Sequence, residues 1–267
     1  MSEQILNFND ALSVLDDLSI SSFLTEAWVP SLNRTVKLKE LTTKQQSTIA
    51  ENFLDFIENK NTFSKTFSDI IFENCLEDSS VKNNFTIFDR SALAFSIRNQ
   101  LSEKIKVEFQ QNPKIEKEVD ISIILENFKS YLHPILEIVK QKINSEIIEI
   151  QLEAPKMVLD SSFDDFVYKK VDVDNNLEKI KIIFNNAFLA EIAKHIKEIK
   201  INDNLFNYNS LSIDDKIKVV EKLPAVIIQK INGFITKCKS DIEKNYTVNF
   251  ENLEKIIKID ALMFLIN

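Results

Sequence analysis

Few side chains in this sequence could do chemistry. It holds two histidines, His133 and His195, two cysteines, Cys75 and Cys238, and three Asp–Asp pairs: Asp16-Asp17, Asp164-Asp165 and Asp214-Asp215. Glu191 lies four residues before His195, a spacing that one turn of helix would align. A metal site needs three or four ligands, and no second pair is visible. His195 therefore reads as a packed or surface side chain rather than a ligand, next to a solvated Lys194. His133 precedes Pro134 among apolar residues and reads the same way. Asp172, Asp174 and Asn176 alternate like the start of a calcium loop, but Leu177 stands where that loop needs glycine and Ile183 where it needs a bidentate Glu. That stretch predicts a helix cap instead.

Paired carboxylates do acid–base work only where a pocket drives their pKa values apart. The three pairs sit at expected helix starts or turns, where a helix dipole favours negative charge, and so they predict capping. Cys238 lies between Lys237 and Lys239, which would lower its thiol pKa, but no histidine is near it in sequence. No catalytic, cofactor-binding or metal-binding residue is assigned.

Glycine narrows the chemistry further. Gly233 is the only one in 267 residues, where roughly 7% would be ordinary. It sits inside an apolar helical pattern, so phosphate-cradling loops of the G-x-G-x-x-G kind and G-x-S-x-G nucleophile turns are both excluded. A net charge of −8, with Lys and Arg interleaved among acids as in Lys114 to Glu118, argues against nucleic acid as a partner. No apolar run approaches the roughly 18 residues of a membrane span, so no membrane insertion is expected. The start, MSEQILNFND, lacks the basic and apolar parts of an export signal, and two isolated cysteines suit a reducing cytosol.

The elements that would position these residues change period along the chain. Asn9 or Asp10 can cap a first helix carrying Leu12, Leu15 and Leu18. Val29 and Val36 to Leu38 flank a turn over Ser31 to Arg34, predicting a hairpin. Thr42 with Gln45 is a capping box for the next helix. A helix with Phe63, Phe67, Ile70, Ile71 and Leu76 follows, then one opening on Thr86 to Arg90 with Leu93, Ile97 and Leu101 on one face. Ile105, Val107 and Phe109, and later Ile148, Ile150 and Leu152, alternate with charged or polar residues and predict strands. Val119 to Ile123 fits a third strand between them, and Phe128 to Ile143 an inserted helix broken at Pro134. Such alternation implies one antiparallel sheet with a wet face.

Helical spacing then returns. Leu177, Ile180, Phe184, Ala187, Phe188, Ile192 and Ile196 predict a long amphipathic helix, and Ile199 to Ile201 a short strand. Ser212 with Asp215 caps another helix, Pro224 opens the last one, and the apolar tail from Leu253 to Ile266 packs back. The fold class is α+β and predominantly helical: N-terminal helices with a hairpin, a small central antiparallel sheet, and a C-terminal helical part. Residues 1–155 and 156–267 form the two regions, as separate units or one continuous domain. The aromatic stripes, Phe63 and Phe67, Phe163 and Phe166, Phe184 and Phe188, with Phe234, Phe250 and Phe264, read first as core. Their number also suits a chain that buries some of them against a partner.

The order of these segments resembles the T4-like bacteriophage baseplate hub proteins. The shared features are the Pro-Ser hairpin Val29-Pro30-Ser31 through Val36-Lys37-Leu38 and the Thr-capped helix from Leu41-Thr42. Thr86-Ile87-Phe88-Asp89-Arg90 then runs to Ile97-Arg98, a strand ends in Pro155, and Leu223-Pro224 opens a late helix. The resemblance covers most of the chain, though its motifs are short. Family members that carry Cys-x-x-Cys pairs could bind zinc; this chain has no such pair, so a metal role is dropped.

The resemblance implies a non-catalytic structural or assembly component of a contractile tail's baseplate hub, built in the host cytoplasm and located in the virion. Its partners would be other hub, wedge or tail-tube proteins, without cofactor. Asp89, Arg90 and Arg98 would fix their helix against the sheet by charge-assisted hydrogen bonds. Trp28, Pro30 and Leu32 would mark an exposed hairpin that contacts a partner. Two alternatives stand beside this: a transient assembly chaperone absent from the mature particle, and a small enzyme with an unrecognised carboxylate site.

Overall fold

A chain with a single glycine must form its tight turns with other residues, and here asparagine does so. In the computed structural model, which describes residues 25–54, 63–72, 76–109, 115–130, 136–169, 176–202, 204–251 and 253–257, left-handed backbone falls on Asn33 (φ 49°), Asn144 (55°), Asn202 (48°) and Glu251 (53°). A short amide side chain can bond locally and tolerates this region better than most residues with a Cβ. Each of the four closes a hairpin. Asn33 follows a 3-10 turn over Pro30–Leu32 between β1 (Thr25–Val29) and β2 (Arg34–Leu38).

Helix α1 (Thr43–Leu54) starts at the expected capping box: Thr42 N–H donates to Gln45 Oε1 at 2.8 Å, and Gln45 N–H to Thr42 Oγ1 at 3.3 Å. Helices α2 (Phe63–Ile70) and α3 (Asp89–Leu101) follow. A separate hairpin then pairs β3 (Lys104–Phe109) with β4 (Ile115–Asp120). The third strand expected over Val119 to Ile123 stops at Asp120, because the Asp120 carboxylate accepts from Ser122 N–H at 2.9 Å and caps α4 (Ile121–Ser130).

The helix expected from Phe128 to Ile143 is also corrected. Residues 131–135, with His133 and Pro134, lie outside the described residues, and Glu137–Ile143 is strand β5. It turns through Asn144-Ser145 into β6 (Glu146–Leu152), with Ile143 opposite Glu146 and Val139 opposite Ile150. After α5 (Met157–Lys169) and α6 (Asn176–His195), strands β7 (Ile196–Ile201) and β8 (Asn204–Phe206) complete an antiparallel sheet of order β5-β6-β7-β8. The single expected sheet is thus two: a two-stranded hairpin and this four-stranded one.

One sheet face carries Val139, Ile148, Ile150 and Ile199 towards the helices. The other is wet, with Lys140 and Glu149 paired at 3.2 Å across strands. Helices α7 (Ile213–Lys222) and α8 (Ala225–Glu243) pack beneath, and β9 (Thr247–Phe250) pairs with β10 (Leu253–Ile256). Ser212 caps α7, accepting from Asp215 N–H at 3.2 Å, and Pro224 stands before α8. Buried side chains from Ala27 to Ile257 form one cluster, centred on residues such as Phe67, Phe95, Phe128, Phe163 and Phe234. Asp10, the Leu12 to Leu18 stripe and residues 258–267 lie outside the described residues.

Gly233 sits within α8, and a Cβ built there meets nothing within 4 Å. Neither a turn nor a close approach requires it. Gly233→Ala is therefore expected to stabilise the protein by about 1 kcal/mol through the unfolded chain's lost freedom. Thermal unfolding of the variant, a few degrees above the wild type, is the check.

Candidate functional site

Helices α3 and α5 begin side by side, held by a short stretch of backbone pairing. Thr86 bridges Lys156, Ile87 N–H donates to Pro155 O at 2.9 Å, and Met157 N–H donates to Phe85 O at 2.9 Å. This places Asp89 and Arg90 on one first turn close to Asp160 on the other. Asp89 is fully buried. Its carboxylate accepts from Thr86 N–H at 2.6 Å, Thr86 Oγ1 at 3.0 Å and, across the fold, Ser31 N–H at 2.9 Å. Asp89 thereby pins the hairpin corner to α3.

Arg90 reaches the other way. Its guanidinium donates to Asp160 at 2.8 Å and to Ser68 Oγ on α2 at 3.3 Å. Asp160 also accepts from Lys194 Nζ at 2.7 Å, Lys194 pairs with Glu191 at 2.5 Å, and Glu191 pairs with Lys239 at 2.7 Å. The network Arg90–Asp160–Lys194–Glu191–Lys239 thus ties α3, α5, α6 and α8 together. Burial alone would raise both carboxyls, but Lys194 and Arg90 hold Asp160 down at about 2, and Lys194 with Lys239 hold Glu191 at about 2. Burial would likewise lower Lys194, and its two carboxylate partners raise it instead.

His195 completes the cluster. Its ring is buried, packs edge-on to Phe234 at 6.1 Å, and its Nδ1 lies 2.7 Å from the Glu191 carbonyl. Nε2 has no hydrogen-bond partner, and burial pushes the ring down to about 4, so His195 is neutral at pH 7. A general acid or base works best with a pKa near the working pH. These carboxylates are fixed as anions and spent on their cations, and the imidazole has no contact with solvent. The cluster is built to hold helices.

Several expectations change at this point. Lys194, expected in solvent, is buried in the network because two carboxylates compensate its charge. Asp164-Asp165 lies within α5 rather than at its start, whereas Asp214-Asp215 does occupy the first turn of α7. The Cys238 thiol is raised by burial to about 11, not lowered by its lysine neighbours, so it stays protonated. Arg98 is half-buried; burial lowers its pKa and its Nε has no hydrogen-bond partner. In the hairpin Pro30 is buried, and Trp28 and Leu32 are half-buried against the core, so Pro30 is not the exposed residue expected. Cys75, Asp16-Asp17 and Asp172 to Asp174 lie outside the described residues.

Two apolar surfaces stand out among the described residues. A groove of about 380 Å³ opens between the sheet and the α7–α8 corner, lined by Ile148, Ile201, Phe206, Val219 and Leu223 with Lys218 and Lys222. The other surface is α6 itself. Phe67, Phe163, Phe166 and Phe234 are core, but Phe184 and Phe188 on α6 are exposed.

Among the described residues, no group of three His, Cys, Asp or Glu side chains could hold a metal ion. No helix among them is long and apolar enough to cross a membrane. No curated protein and no solved structure matches the chain. One family does. The model of the T4 bacteriophage base plate protein family matches residues 22–260, which is most of the chain and includes the hairpin, the Asp89–Arg90 turn and every member of the charge network. This chain belongs to the T4 bacteriophage base plate protein family.

Proposed function

We propose that this protein is a non-catalytic component of the base plate hub of a contractile phage tail, acting through contacts with other hub, wedge or tail-tube proteins. The observation that carries this reading is the family match over residues 22–260. Two features agree with it. Among the described residues, Arg90, Asp160, Lys194, Glu191 and Lys239 bind one another, while large apolar side chains of α6 stay outside. A protein whose charges hold its own helices and which leaves Phe184 and Phe188 of one helix outside is suited to assembly.

Quantitative mass spectrometry of finished particles and of producing-cell extracts tests this. A fixed ratio to base plate proteins within particles is the expected result. Recovery only from extracts would replace this reading with a transient assembly chaperone. A lone chain in both, with no base plate protein at its side, would overturn it.

A further inference from the structure

The groove between the four-stranded sheet and the α7–α8 corner combines an apolar interior with a cationic edge. Ile199 is buried at its floor, and Ile148, Ile201 and Phe206 of the sheet face Val219 and Leu223 of the corner. Ile201 pairs with Ile148 and Phe206 with Ile199 across the strands, so these four side chains leave the sheet on one face. Among the described residues, Lys218 and Lys222, one turn apart on α7, are the only polar side chains of the lining, and no carboxylate joins them. In a chain of net charge −8 such a lining runs against the average surface. Asp215, at 2.8 Å, and then Asp214 and Glu221 keep Lys218 charged from outside the groove. Lys222 is exposed on the last turn of α7 and has no ion-pair partner among the described residues.

Volume and lining together decide the shape of the occupant. A dry cavity of about 150 Å³ takes a six-carbon ring, so an open groove of about 380 Å³ suits a slender chain of roughly twelve carbons. A helix, about 10 Å across, would fill the same space with less than one turn. An extended peptide would set backbone N–H groups against a lining without a side-chain acceptor, which is costly. We infer that this groove binds a long-chain carboxylate, with the alkyl chain between Ile201, Phe206, Val219 and Leu223 and the head group at Lys222. Each methylene taken out of water favours the complex, and the carboxylate stays at the solvent edge, where the lysine meets it still hydrated. Apolar walls with one or two fixed polar groups are the usual make-up of a small-ligand site. The groove's own shape and charge carry this, whatever the protein's place within the base plate.

Isothermal titration of the purified chain with dodecanoate, kept below its micelle concentration, tests this. One site is expected, with a Kd on the order of 0.1 mM for a ligand of this size. Octanoate, four methylenes shorter, should bind at least about tenfold more weakly. Dodecyltrimethylammonium, with the same chain and the opposite charge, should bind more weakly than dodecanoate. Lys222→Glu should weaken dodecanoate by about fivefold, the upper end for an exposed ion pair. Ile201→Glu should remove the site with an unfolding temperature close to the wild type's, since that side chain is 44% exposed. A wild type that does not bind, equal affinity for the cationic amphiphile, or a site that survives both substitutions would each overturn the inference. A chain that ignores dodecanoate, yet whose Ile201→Glu variant drops out of finished particles, would assign the groove to another base plate protein instead.

Discussion

Asp160→Asn should lower the unfolding temperature by on the order of 10 °C. Asp160 meets both Arg90 and Lys194, at 2.8 and 2.7 Å, and it is 4% exposed. Removing its charge leaves two cations facing each other in a site that water hardly reaches. Breaking a buried pair in this way costs about 3–5 kcal/mol, far more than a surface pair would. In a chain of this size each kcal/mol moves the midpoint by roughly 2–4 °C. Lys194→Met added to Asp160→Asn should recover part of the loss, because one stranded cation is gone. The two changes should then be less than additive in a double-mutant cycle. A shift below about 2 °C for Asp160→Asn would mean the network is screened by solvent and does not clamp the helices.

Acid should destabilise the protein in two steps. His195 has a folded pKa of about 4 against an ordinary 6.5. Between those values the unfolded chain binds more protons, so stability falls as pH falls from about 6.5 to 4. The loss is about 3 kcal/mol at the ordinary cost per pKa unit. Glu191, Lys194 and Lys239 face the ring, the first favouring its charged form and the two cations opposing it. Asp160 and Glu191 act below that window. Their folded values near 2, against 3.8 and 4.5, give stability that is whole above about pH 4.5 and lost as pH falls towards 2. Melting curves from pH 7 to 3 should show both limbs, and His195→Gln should flatten the upper one alone. A wild-type midpoint that stays level from pH 7 to 4 would show that His195 titrates as an exposed imidazole.

Local signals were legible where a few neighbouring residues decide the outcome. The boxes at Thr42/Gln45 and Ser212/Asp215, the hairpin around Asn33 and the alternation over Ile105–Phe109 and Ile148–Leu152 all concern bonds within one or two turns of chain. β5 was lost because Ile138, Val139 and Ile143 alternate poorly, and its partner strand settles its state. The two-residue Asn144-Ser145 turn before Glu146 was the available clue. The charge network lay beyond pattern reading. Nothing in the sequence sets Asp160 apart from Asp164 and Asp165 on the same helix, and a lysine is read as solvated unless a distant carboxylate is known to face it. Phe184 and Phe188 illustrate the reverse: helical spacing marks an apolar face but cannot say whether core or open surface lies against it.

The reach of the buried network bears on how fast the protein forms and comes apart. Arg90 and Asp160 are 70 residues apart in the chain, Asp160 and Lys194 are 34 apart, and the Ser31–Asp89 bond spans 58. Contacts of such separation require the intervening loops to close first, which slows folding. If their charges stay hydrated until the helices around them have docked, these bonds form after the barrier, and Asp160→Asn is then expected to raise the unfolding rate far more than it lowers the folding rate. Interactions made there act on the escape rate from the native state far more than on the rate of reaching it. The charge clamp is thus a brake on unfolding, suited to a part that must keep its shape for the lifetime of a particle.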